Sequence, residues 1–229
     1  METPLPLRPS RHLSQRRILL RLGFCVLVYA CLVAIYAWYA NRHEEERIMA
    51  EIDRRLVIAA TALRHLLAPD FHDRAVSADS IGMDEIRRNQ DEVSAFSREA
   101  GFEYVYGLVV KDGQYFFSAP TVTPEELKER ESWYFYPYEE VPEAFKEAFA
   151  QEKTMFASYS DEWGSFRSVA IPERSPGGRL YLACADYDVS YVDGLLRKNT
   201  WRSVGLAAVM LLFSSPFLVF LSNLYRTFS

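Results

Sequence analysis

A chain of 229 residues with 49% hydrophobic and 25% charged content and a formal net charge of −5 is long enough for one globular domain, or two small ones, with an ordinary core. Its three cysteines allow no disulfide framework, because Cys25 and Cys31 share one apolar run and Cys184 lies far downstream. The charge is unevenly placed: Asn41 to Trp201 holds 19 Lys and Arg against 30 Asp and Glu, a net of −11, so no basic stripe is offered to nucleic-acid phosphates.

Residues 1–17 form a basic tail in which Arg8, Arg11, Arg16 and Arg17 face a single acid, Glu2. The apolar run Leu22 to Ala40 follows, and a first transmembrane helix is expected over 18–40, since about 20 residues at roughly 1.5 Å each cross a hydrocarbon core of roughly 30 Å. The run is longer than a signal-peptide core and offers no A-x-A cleavage site. A second run, Val204 to Leu224, predicts another span over 201–224, with Pro216 tolerated in lipid and a short tail at 225–229. Trp38, Tyr39 and Trp201 fall at interfacial positions. The positive-inside rule then places both termini in the cytoplasm and residues 41–200 outside.

From Glu44 onward Ile48, Ile52, Leu56, Ala59, Leu63 and Leu67 recur by threes and fours, which predicts an amphipathic stalk continuing the first span as far as Pro69. A second helix is expected from Asp84 to Ala100, stopped by Gly101. FEYVYGLVVKDGQYFFSA reads as a hairpin turning at Asp112-Gly113. Thr123, Pro124 and Glu126 make a capping box, and Pro142 opens a helix to about Glu152. Three antiparallel strands follow in TMFASYS, SFRSVAI and LYLACAD, and a helix capped by Asp188 or Ser190 should run through Arg197 into the second span. Five short strands with segregated helices predict an α+β domain on one antiparallel sheet.

The long helix EIDRRLVIAATALRHLLAPDFHD, the pair YVYGLVVKDGQYFFS, the segment DEWGSFRSVAIPERSPGGRLYLACAD and the exit DVSYVDGLL resemble a single-Cache domain. These are the PAS-like extracytoplasmic inputs of bacterial chemoreceptors, histidine kinases and diguanylate cyclases. The resemblance implies a five-stranded sheet with a long N-terminal helix and a ligand cavity on one sheet face. Such receptors continue into an output domain, whereas this sequence ends at Phe228-Ser229, so the expected alternatives are a truncated receptor or one that signals to a separate kinase or cyclase.

Strand alternation puts Arg167 with Val169 and Ile171, hence inward, where a guanidinium needs a negative partner. Asp161, Asp186 or an anionic ligand are the candidates. One reading makes Arg167 a clamp for a carboxylate-bearing ligand, walled by Trp163 and Phe166; the other makes Asp161 a turn cap and Arg167 a structural ion pair. Tyr104 and Tyr106 share a face and can present hydroxyls to a pocket or pack in the core. By the resemblance, Trp133, Tyr134, Tyr136 and Tyr138 lie on the segment that covers that pocket.

Asp70, His72 and Asp73 are close in sequence but lack the four well-spaced ligands of a structural zinc site, and no cofactor fingerprint is present. Neither G-x-S-x-G nor H-E-x-x-H nor a Walker loop occurs, which argues against an enzyme. The expected function is a membrane-anchored small-molecule sensor, acting as a homodimer through its stalk. A ligand-free interaction scaffold is the alternative.

Overall fold

The computed structural model describes residues 11–161, 164–190, 194, 200–202 and 204–210. The chain divides into two units, one formed by Met1–Glu45 with Leu195–Ser229, the other by Glu46–Gly194. Helix α1, Arg11–Leu66, supplies residues to both.

In the first unit the apolar run of α1 leaves Phe24, Leu27, Leu32, Ile35 and Trp38 more than half exposed, as expected of a surface that meets lipid rather than a protein core. Among the described residues one helix, from Gly23 to Leu66, is long and apolar enough to cross a membrane. Thr200–Arg202 and Val204–Met210 are also helical. Tyr29 Oη donates to the Ala207 carbonyl at 2.9 Å, and Asn41 Nδ2 donates to Thr200 Oγ1, so the first run touches the described start of the second. The rest of the second run, the N-terminal tail to Ser10 and most of the expected exit helix lie outside the described residues.

The second unit is built on a five-stranded antiparallel sheet in the order β2-β1-β5-β4-β3. The strands are β1 Tyr104–Lys111, β2 Gln114–Phe117, β3 Met155–Asp161, β4 Gly164–Arg174 and β5 Leu180–Asp188. Asp112 and Gly113 both adopt positive φ, 52° and 79°, the conformation a two-residue type I′ hairpin requires, which is why Asp-Gly marks this turn. Five of the six residues of the expected stalk stripe, Ile52, Leu56, Ala59, Leu63 and Leu67, are buried against one face of the sheet. The remaining one, Ile48, is half-buried.

Two short helices and one longer one complete that side and the ends. They are α2 Phe71–Arg74, α3 Met83–Ala100 and α4 Glu126–Glu129. The Thr123 box forms as expected: Thr123 N donates to Glu126 Oε2 at 2.7 Å and Glu126 N to Thr123 Oγ1 at 3.3 Å. Helix α5, Glu143–Gln151, covers the opposite sheet face, where Val141, Phe145 and Ala148 pack on Tyr106, Leu108, Ala170, Leu182 and Cys184. The sheet is therefore a wall between two apolar layers, one under α1 and one under α5.

Strand pairing assigns residues to these layers. In β4 and β5, Arg167 lies opposite Tyr187, Ser168 opposite Asp186, and Val169 opposite Ala185. Side chains directly across an antiparallel pair share a face. Arg167 thus belongs to the α1 layer, and Asp186 to the α5 layer.

Candidate functional site

Beneath α5 the sheet carries a small polar cluster inside an otherwise apolar layer. Asp186 on β5 is flanked in register by Tyr104 on β1 and Ser168 on β4. It is 4% exposed. Tyr106 Oη donates to Asp186 Oδ1 at 3.3 Å, and Tyr159 Oη donates to Oδ2 at 3.4 Å. Each link has a local cause: alternation sends Tyr104 and Tyr106 to the same side of β1, and the β3–β4 register puts Tyr159 opposite Phe166, on that side too.

The aromatic rings hold the cluster in place. Phe166 meets Tyr104 and Tyr159 with centroids at 6.2 and 5.8 Å, Tyr106 meets Phe117 edge-on at 5.5 Å, and Tyr138 stacks on Phe117 at 5.0 Å. Electrostatics follow from burial. Desolvation pushes the Tyr106 and Tyr159 hydroxyls well above the usual phenol range, and the Asp186 charge raises both further. The Cys184 thiol is raised by the same two causes, burial first.

Ser168 completes the group. Its Oγ is buried beside the Tyr159 hydroxyl and has no hydrogen-bond partner of good geometry among the described residues. An unpaired buried hydroxyl costs about 1–3 kcal/mol. Ser168 and Tyr159 are the members of this cluster that sequence reading did not select for it, whereas Tyr138, expected on the segment covering the pocket, stacks on Phe117 beside it. Ser168 alternates with Phe166 and Ala170, and Tyr159 lies in the strand TMFASYS, but such local patterns do not say which strands are neighbours.

The other expected residues are dispersed. Arg167 finds its negative partner in neither Asp161 nor Asp186, which corrects the expectation: its Nε and Nη2 donate to Asp53 Oδ1 and Oδ2 of α1 at 2.7 and 2.8 Å, and Nη1 to Ser158 Oγ at 3.0 Å. A bidentate pair at the α1 layer satisfies the guanidinium, and the sheet separates it from Tyr104, Tyr106, Phe166 and Asp186. Asp161 ends β3, paired with Gly164, and Trp163 lies outside the described residues. Tyr134 is fastened elsewhere, its hydroxyl bonded to Ser80 Oγ and the Ser77 carbonyl at 3.0 and 3.1 Å. Tyr136 packs under the Arg130 guanidinium, 3.7 Å from its ring centroid, beside Trp133.

Asp70, His72 and Asp73 also turn apart. Asp70 pairs with Arg74, Asp73 accepts from Ser175 Oγ and Gly177 N, and His72 is buried against Ser118 and Tyr181. Among the described residues no group of acids, cysteines and histidines is placed to hold a metal ion.

No family model and no curated protein matches the chain. Solved structures do. Chemoreceptor sensory domains are among them. The sensory domain of the Campylobacter jejuni chemoreceptor Tlp3 with isoleucine bound aligns with TM-score 0.42 and 10% identity over 72% of this chain and 60% of that one. The ligand-binding domain of the Pseudomonas aeruginosa PAO1 amino acid chemoreceptor PctC in complex with GABA aligns with TM-score 0.31 and 16% identity over 66% and 68%. This chain spans about 60% of the length of the Tlp3 domain it matches. The α+β class, the five-stranded antiparallel sheet and the long N-terminal helix expected from the sequence are all present.

Proposed function

We propose that the protein is a membrane-anchored sensor whose Glu46–Gly194 unit sits outside a bacterial inner membrane and binds a small molecule at the Asp186 cluster. The observation that carries this reading is the buried grouping of Asp186, Tyr106, Tyr159 and Ser168 within the α5 layer. Convergent polar groups in an apolar surround are the ordinary makeup of a ligand site. With Arg167 on the other side of the sheet, the basis for an anionic ligand there is lost. The Asp186 carboxylate and the unpaired Ser168 hydroxyl suit a ligand carrying an ammonium or other donor group.

Entry requires the layer above to part, because Phe145 and Val141 fill it. Ligand binding therefore shifts α5 and the Trp133–Tyr138 segment, and only a difference in affinity between the two arrangements can drive a signal. That signal leaves through the residues after β5 toward a separate kinase or cyclase, with a homodimer assembled along α1 and both chain termini in the cytoplasm.

A second reading, a ligand-free interaction scaffold, draws on Arg167, whose donors are already matched by Asp53 and Ser158. One experiment separates the two. A thermal-shift screen of the full chain in detergent micelles against primary amines, amino acids and carboxylates should give a stabilising amine whose effect disappears in Asp186→Asn and Ser168→Val. A hit retained by both variants places binding elsewhere, and the absence of any hit with correctly folded protein favours the scaffold.

A further inference from the structure

On the α1 face of the sheet, away from the Asp186 cluster, an open cavity of about 330 Å³ lies where the end of α1 meets the β4–β5 loop. That volume is at the lower end of the range for small-molecule sites, roughly 300–1,000 Å³. Leu67, Pro69 and Pro176 give it apolar walls, and Tyr181 and His72 stack with centroids 3.6 Å apart and planes 8° from parallel. Two polar groups in the lining keep unused bonding capacity. His72, 4% exposed, meets Ser118 Oγ through Nε2 at 3.0 Å, and no hydrogen bond reaches its Nδ1 among the described residues. Arg64 gives Nε to His65 and Nη1 to Glu173 Oε1 at a long 3.4 Å, leaving Nη2 without a hydrogen bond among the described residues.

We propose that this cavity binds a small organic carboxylate with an apolar body, its carboxylate on Arg64 and its body against Leu67, Pro69 and Tyr181. The ion pair between half-exposed Arg64 and Glu173, whose side chain is 19% exposed, is long at 3.4 Å and single-pronged, so a ligand carboxylate that displaces Glu173 gains the two-pronged geometry that Glu173 does not achieve. Arg64, in the last turn of α1, also offsets the negative end of the helix dipole that would otherwise repel an anion. An apolar body distinguishes this ligand from a bare inorganic anion, which would leave Leu67, Pro69 and Tyr181 without contact. The site does not depend on the function proposed above, because the sheet lies between the two.

The test is calorimetric titration of the full chain in detergent micelles with benzoate, with empty micelles as the blank. Wild type and Tyr159→Phe should bind one benzoate with equal affinity, Arg64→Gln should bind about tenfold more weakly, and Ala68→Trp, which fills the mouth from an exposed lining position, should not bind. Inorganic phosphate should not compete. Absence of benzoate binding by wild type, undiminished binding by Ala68→Trp or Arg64→Gln, loss in Tyr159→Phe, or competition by phosphate would each overturn the proposal.

Discussion

Lowering the pH from about 8 to about 5 should destabilise the Glu46–Gly194 unit by about 2 kcal/mol through one residue, His72. Burial, and secondarily the Arg179 charge, hold the imidazole down from 6.5 to about 3, against a smaller opposing effect of Asp73. The folded-state pKa of this base is depressed, so between about 3 and 6.5 the unfolded chain binds the extra proton. Stability is then complete above 6.5 and falls as pH drops through that window. The full difference of about 3.5 units corresponds to roughly 5 kcal/mol at the acid end, of which about 2 is lost by pH 5. Asp73 and Glu85 act lower: hydrogen bonds from Ser175 and Arg74, respectively, hold their carboxyls below the ordinary range, so their stability is present above the ordinary carboxylate pKa and lost only as pH falls below it. The assay is urea unfolding of the full chain in micelles, followed by near-ultraviolet circular dichroism, in wild type and His72→Gln. The variant should start less stable but lose little between pH 8 and 5. Parallel pH dependences in the two proteins would refute the argument.

Three further predictions bear on the packing around the two layers. Asp53→Asn and Arg167→Met should each cost about 2 kcal/mol, between the values for exposed and buried pairs, and a double-mutant cycle should show coupling; independent effects would mean that the bidentate pair contributes nothing. Gly107→Ala should destabilise by about 2 kcal/mol or more, because its Cβ would fall 2.2 Å from Ser118 Oγ and 3.0 Å from His72 Nε2; a neutral urea midpoint would show that Ser118 moves aside freely. Ser168→Ala, which removes a buried hydroxyl without a partner, should raise stability by about 1 kcal/mol while weakening any amine found for the Asp186 cluster; a less stable variant would mean that the hydroxyl is satisfied.

Local chemistry carried most of the secondary structure into view. Apolar spacing marked the stalk part of α1, the Thr123–Glu126 box marked α4, and Asp112-Gly113 marked the hairpin, because each depends on residues within a few positions of one another. Alternation likewise placed Arg167 with Val169, and Tyr104 with Tyr106, correctly within each strand. What a strand's own sequence cannot state is the parity of its register with the next strand. Here β4 and β5 pair Ser168, not Arg167, with Asp186, and a shift of one residue would have put the guanidinium beside the tyrosines. The partner that Arg167 takes instead lies 114 residues away on α1, a contact created by helix docking and invisible to any local pattern. The same holds for His72: its neighbours in sequence suggested a weak metal cluster, but packing against Ser118 and Tyr181 makes it a buried neutral ring. Sequence thus specified the elements and the sidedness of each, since those follow from backbone period and nearest neighbours. Only the folded sheet decided which sides coincide, because that choice is made by long-range burial across strands and helices.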